Sequence, residues 1–126
     1  MTVSNPIPTS TAVSSRAGLG GLHAYQVALA FYQRCLELSR RLPRSHPSRQ
    51  LVKAAESTAL IIAEAYPTFG PDRARRFRIA GDEASECGAA LDLLEIRGDL
   101  SGSVLQELRS LNDRERAMLW RLGRKL

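Results

Sequence analysis

Residues 50–66 read QLVKAAESTALIIAEAY. Leu51, Ala54, Thr58, Ile61 and Ala65 recur at steps of three and four, and Ala55 and Ile62 widen the stripe. That period is the mark of an amphipathic helix. The helix is predicted to stop at Tyr66, because Pro67-Thr68-Phe69-Gly70-Pro71 follows with two prolines and a glycine. A third helix is expected to open near Pro71-Asp72, with proline in its first turn and an acid near its positive end. Its seam is Phe77, Ala80, Ala84, Cys87, Leu91 and Leu94, and Gly98 closes it. Upstream, a first helix is expected from Gly21 or Leu22 to Leu42, ended by Pro43, with a loop to about Pro47. Downstream, Ser103 and Gln106 have capping-box spacing for a fourth helix. The core face of that helix is read as Leu105, Leu108, Leu111 or Asn112, Met118, Leu119 and Leu122. Four helices on short loops predict an all-α, antiparallel up-down-up-down four-helix bundle over residues 21–126.

The order of residues in the decisive stretch also resembles a family, the small bacterial four-helix-bundle proteins encoded in intervening sequences of large-subunit rRNA genes. Their second helix typically reads Gln-Leu-x-Arg-Ala-x-x-Ser-x-Pro-x-Asn-Ile-Ala-Glu-Gly-Tyr. Gln50, Leu51, Ala54, Ser57, Ile62, Ala63, Glu64 and Tyr66 fall in register, with Lys53 in place of the arginine. Ala59, Ile61 and Ala65 replace the family's Pro, Asn and Gly. Weaker matches are Tyr25-Gln26, Ala28 and Leu42-Pro43 in the first helix, and Ile79-Ala80 and Glu86 in the third, where Asp82-Glu83 stand for a usual Gly-Ser. The resemblance, that of a divergent member, spans roughly residues 22–122. It implies a ring-like homo-oligomer, often a pentamer. It also implies association with nucleic acid, since relatives occur in rRNA insertions or serve as accessory proteins of diversity-generating retroelements, beside reverse transcriptase.

The 126 residues suit one domain. Eighteen Lys and Arg against 13 Asp and Glu leave a net charge of +5, which permits a polyanionic partner without requiring one. Residues 1–20 are rich in Ser, Thr, Pro and Gly and lack the basic start and apolar run of a secretory signal, so a disordered arm is expected there. Charges interrupt every helical segment before it reaches the ~20 apolar residues of a membrane span. A cytoplasmic protein with no membrane partner is the expectation. Cys35 and Cys87 lie in apolar helical patterns without metal-ligand spacing and are read as reduced core thiols.

The first helix carries more apolar surface than one core needs. Leu22, Tyr25, Leu29, Tyr32 and Leu36 form one stripe, and Ala24, Val27, Ala28, Phe31, Cys35 and Leu38 a second beside it. Together they span about 200° of the helix against the ~100° that faces a single core. The second stripe is therefore assigned to a homo-oligomer interface. Wide packing inside one bundle is the alternative.

No nucleophile elbow, phosphate loop or zinc motif occurs, and His23 and His46 offer no evident partner for Ser57. The acids Glu64, Asp82, Glu83 and Glu86 lack the Glu-x-x-His pairs of di-iron bundles. Arg78 and Asp82, four apart, are expected to pair on the helix surface. Glu64 is expected to meet an arginine of a neighbouring helix. A non-enzymatic protein with no cofactor and no metal is predicted.

The basic residues form two rims. One comprises Arg40, Arg41, Arg44, Arg49 and Lys53 around the first loop, and the other Arg73, Arg75, Arg76 and Arg78, which open the third helix. Topology brings Arg121, Arg124 and Lys125 to this second group. Cations near a helix C-terminus are favoured by the dipole, whereas Arg73 to Arg78 sit at an N-terminus, where each is opposed by a few tenths of a kcal/mol. An anionic partner or acids of a neighbouring subunit would account for them. The nucleic-acid-binding candidates are accordingly Arg44, Arg49, Lys53, Arg73, Arg75, Arg76, Arg78, Arg121, Arg124 and Lys125. With few aromatics for stacking, a sequence-tolerant phosphate mode is expected. The alternative is a protein-interaction scaffold that binds no nucleic acid.

Overall fold

The computed structural model describes residues 22–124. The expected arm at 1–20 and Lys125 therefore lie outside the described residues. Among the described residues four helices follow in order: α1 (His23–Ser39), α2 (His46–Ala65), α3 (Gly70–Arg97) and α4 (Gly102–Arg124). Each packs against two others, α1 on α2 and α4, and α3 on α2 and α4. Contacts between helices fix their antiparallel sense. Arg78 near the start of α3 meets Gly123 near the end of α4, while Asp92 and Glu95 meet Arg109 early in α4. Between α2 and α3, Gln50 reaches Glu86 and Tyr66 meets Arg73. Between α4 and α1, Glu107 pairs with Arg34 at 2.7 Å and Arg114 approaches His23. The all-α bundle expected from periodicity is the fold.

Local chemistry accounts for most boundaries. Helix α1 stops at Ser39, three residues short of the expected end, and turns through Arg41 and Leu42, whose N–H groups reach Leu38 O. Helix α2 starts at His46, before the expected Pro47. Ser45 and Ser48 form its capping box, the side chain of each accepting from the other's backbone N–H at 3.2 and 3.1 Å. That satisfies two donors left over at the helix start. Gly98 ends α3 in the left-handed region (φ 80°), and its N–H returns to Leu94 O and Glu95 O. The cap expected at Ser103 is displaced, because α4 already begins at Gly102 and Ser103 lies in its first turn.

The core falls into two clusters along the bundle. One, toward the α1–α2 and α3–α4 loops, gathers Phe31, Cys35, Leu51, Leu91, Leu94, Leu105 and Leu108. The other gathers Ala24, Ala28, Ile62, Phe77, Ala80 and Leu119. Polar Thr58, Asn112 and Glu115 are also fully buried. The stripe assigned to an oligomer interface is corrected by this packing. Ala24, Val27, Ala28, Phe31 and Cys35 are buried within the single chain, and half-buried Leu38 packs against the first cluster. Their burial needs no second subunit. The other stripe, Leu22, Tyr25, Leu29, Tyr32 and Leu36, is the half-buried one. Both cysteines are free and buried, as expected for core thiols. Ile61, Ala59 and Ala65, where the resemblance breaks, lie on an unbroken α2, with Ala59 and Ala65 buried in the second cluster.

Candidate functional site

The bundle end where α2 gives way to α3 and α4 finishes collects the arginines of α3 and α4. Arg73, Arg75, Arg76 and Arg78 come from the first turns of α3, and Arg121 and Arg124 from the last turn of α4. The cations at the α3 N-terminus have partners within the chain. Arg73 Nη2 donates to Tyr66 O, the carbonyl of the residue that caps α2, and its guanidinium lies over the Tyr66 ring at 5.5 Å from the centroid. Arg78 Nη1 donates to Gly123 O in the last turn of α4 at 2.6 Å. The dipole of α3 opposes these charges, but the C-termini of α2 and α4 beside it favour them. Neither an anionic ligand nor a second subunit is required to hold them. The Arg78–Asp82 surface pair is corrected by the same contact, since the guanidinium turns to α4 instead.

Arg75 and Arg76 share Asp72, at 3.3 and 3.2 Å. Those hydrogen bonds, that from Arg76 foremost, lower the Asp72 pKa below its ordinary value. The pairs are exposed and screened, and contribute little to folding. One carboxylate between two guanidinium groups leaves positive charge facing solvent, and Arg121 and Arg124 are exposed nearby.

Three aromatic side chains at this end were not among the binding candidates drawn from the sequence. Phe69 is 83% exposed, Trp120 64% and Tyr66 37%, so all three present ring surface to solvent. Arg124 lies over Trp120 at 4.3 Å from the ring centroid, a cation–π arrangement. The signal was available. Trp120 follows Leu119, which is core, and stands four residues before Arg124 on the polar face of α4. Exposed rings among guanidinium groups are the ingredients of base stacking combined with phosphate contact.

A half-open groove of about 460 Å³ runs between α3 and α4 at this end, with Trp120 and Arg124 on its α4 side. Small residues make room for it. Gly81 and Ser85 line the α3 wall, and Gly123 lets the Arg78 side chain cross, since a Cβ there would lie 2.6 Å from Arg78 Cγ. A smaller cavity of about 240 Å³ lies between Leu22, Tyr66, Arg73 and Phe77.

The opposite end carries Arg40, Arg41, Arg44, Arg49 and Lys53, all exposed. Acids interrupt this rim. Lys53 acts on Glu83 of α3, whose pKa is nonetheless raised by burial and by Glu86 and Asp82 beside it. Glu64 is exposed, and the arginine partner expected for it is not found among the described residues.

Glu115 is the missed titratable residue. It is wholly buried, Asn112 Nδ2 donates to its Oε2 at 3.1 Å and to Ala84 O at 2.9 Å, and Oε1 has no partner. Burial pushes its pKa up to about 8, against the Asn112 hydrogen bond and the nearby Arg116 charge. Burial also raises Cys35 and Cys87, with Glu115 adding to both. No group of three His, Cys, Asp or Glu among the described residues is placed to hold a metal ion. None of the described helices is long and apolar enough to cross a membrane.

No protein-family model, curated protein or solved structure matches the chain.

Proposed function

We propose that the protein is a non-enzymatic binding module that takes single-stranded nucleic acid across the α2–α3 and α4 C-terminal end of the bundle. The observation that carries this reading is the co-location of Arg75, Arg76, Arg121 and Arg124 with exposed Tyr66, Phe69 and Trp120. Guanidinium groups neutralise phosphates, and rings offer sequence-tolerant stacking of unpaired bases. A duplex would hide its base faces and use only the charges. The family resemblance in α2 points the same way, toward a bundle associated with RNA or with retroelement nucleic acid. Arg44, Arg49 and Lys53 at the far end are secondary contacts in this scheme.

Self-association, implied as a ring and often a pentamer, belongs to the same proposal but on residues other than those first assigned. Leu93 and Ile96 near the end of α3 and Val104 at the start of α4 are exposed apolar side chains, Ile96 at 82%. A ring would repeat the cationic end around one rim and make its contacts multivalent. The scaffold reading rests on the same exposed apolar side chains, which would then receive a protein partner. Size-exclusion chromatography with light scattering and absorbance at two wavelengths, at low and high salt, separates the readings. Nucleic acid that co-elutes at low salt and leaves at high salt supports binding. A protein free of nucleic acid at low salt, and without affinity for added single strands, contradicts it.

A further inference from the structure

The α3–α4 groove differs from the rest of the cationic end in carrying carboxylates as well as guanidinium groups. Asp82 on the α3 wall and Asp113 on the α4 wall both line it. Asp82 has no ion-pair or hydrogen-bond partner among the described residues, because the arginine four positions before it donates to Gly123 O. Asp113 meets only Arg116, at a long 4.0 Å. An ionised carboxylate only accepts hydrogen bonds, so both retain acceptor capacity facing the groove. Trp120 supplies a flat wall. Arg124 covers one face of its ring, and an exposure of 64% leaves ring surface open. Arg116, 47% exposed, completes the lining with a guanidinium group.

Carboxylate acceptors beside a ring meet the edges of the bases differently. Guanine presents two adjacent N–H donors on its Watson–Crick edge, which a carboxylate accepts together. Uracil presents one N–H between two carbonyl oxygens, and those oxygens are repelled by a carboxylate. Adenine and cytosine each place a single amino group beside an acceptor nitrogen. Unpaired bases are read on this edge while they stack on aromatic or guanidinium planes. The volume of about 460 Å³ falls in the range of small-ligand sites and admits one nucleotide.

We propose that the groove holds one unstacked guanine of a single-stranded nucleic acid, with the base on Trp120, its N–H edge on Asp82 or Asp113, and its phosphate on Arg116 or Arg124. This rests on the nucleic-acid reading above and adds base selectivity to it. The chain contains a single tryptophan, so stacking in the groove has its own spectroscopic signal.

The test uses two RNA 9-mers with a fluorescent end label, one all uridine and one with a single central guanosine, at low salt. Anisotropy reports binding and tryptophan emission reports occupancy of the groove. The guanosine strand should bind about tenfold more tightly, the lower end of what a bidentate base contact provides, and should quench Trp120. The exposed double substitution Asp82→Asn/Asp113→Asn should bind both strands alike. Equal affinities and equal quenching in the unaltered protein would overturn the guanine site while leaving the proposed function standing. A tenfold preference surviving the double substitution would also overturn it. If neither strand bound, the guanine site and the function beneath it would fall together.

Discussion

Replacing Glu115 with glutamine should stabilise the bundle at neutral pH. In the folded chain this carboxyl is wholly buried, one oxygen has no partner, and its pKa stands at about 8 against an ordinary 4.5. A carboxyl whose pKa is raised on folding holds its proton more tightly in the folded state. Its contribution to stability is complete below pH 4.5 and is lost as pH rises toward 8. At about 1.4 kcal/mol per pH unit, the interval from 4.5 to 7 amounts to about 3 kcal/mol lost at pH 7. Glutamine carries no charge, keeps the side-chain length and can still accept from Asn112 through its carbonyl. Its buried amide is left poorly satisfied, which costs on the order of 1 kcal/mol. The net gain at pH 7 should be about 2 kcal/mol, vanishing or reversing by about one kcal/mol at pH 4.5. Urea unfolding followed by circular dichroism at pH 4.5, 6, 7 and 8 reads the difference directly. Other titrating groups largely cancel between the two proteins. A glutamine variant no more stable than the parent at pH 7, or a stability difference that does not change with pH, would refute the reasoning.

Two further predictions concern local structure. Ser45→Ala removes the hydroxyl that accepts from Ser48 N and should cost about 1 kcal/mol of unfolding free energy, measured by chemical denaturation. Gly123→Ala places a methyl 2.6 Å from Arg78 Cγ, so the Arg78–Gly123 hydrogen bond should yield. The expected loss is about 1–2 kcal/mol in the same assay. It should be smaller when combined with Arg78→Ala, which removes the clash.

The bundle was legible because its signals were local and redundant. The seam from Phe77 to Leu94 is buried without a miss, and the Pro and Gly punctuation placed the breaks within a few residues. What failed was the assignment of faces. The two stripes of α1 differ little in apolar character, and only the positions of α2 and α4 decide which is buried. Packing chose the one with small Ala24 and Ala28, which allow close approach, and left the bulkier Leu22, Tyr25 and Tyr32 at the margin. Glu115 could have been read, since the step from Leu108 and Asn112 to Leu119 passes through it, but a charged residue does not count toward an apolar seam. The opening of α3 taught the converse. The dipole of α3 alone opposes these charges, whereas Arg73 and Arg78 reach the C-terminal carbonyls of its two neighbours. Trp120 was visible as a residue off the core face, yet its proximity to the α3 arginines required the antiparallel packing of α3 and α4.

The central claim is that the cationic, aromatic end binds single strands through phosphates. Its most direct test is the affinity of a labelled single-stranded RNA as a function of salt, for the unaltered protein and for Arg75→Glu/Arg121→Glu, both exposed positions. Four phosphate contacts, one each for Arg75, Arg76, Arg121 and Arg124, give a slope of log affinity on log salt of about −3. The variant should bind much more weakly, with a slope nearer −1, while circular dichroism and subunit number stay unchanged. An affinity indifferent to salt, or a variant that binds as tightly as the parent with the same slope, would contradict the account.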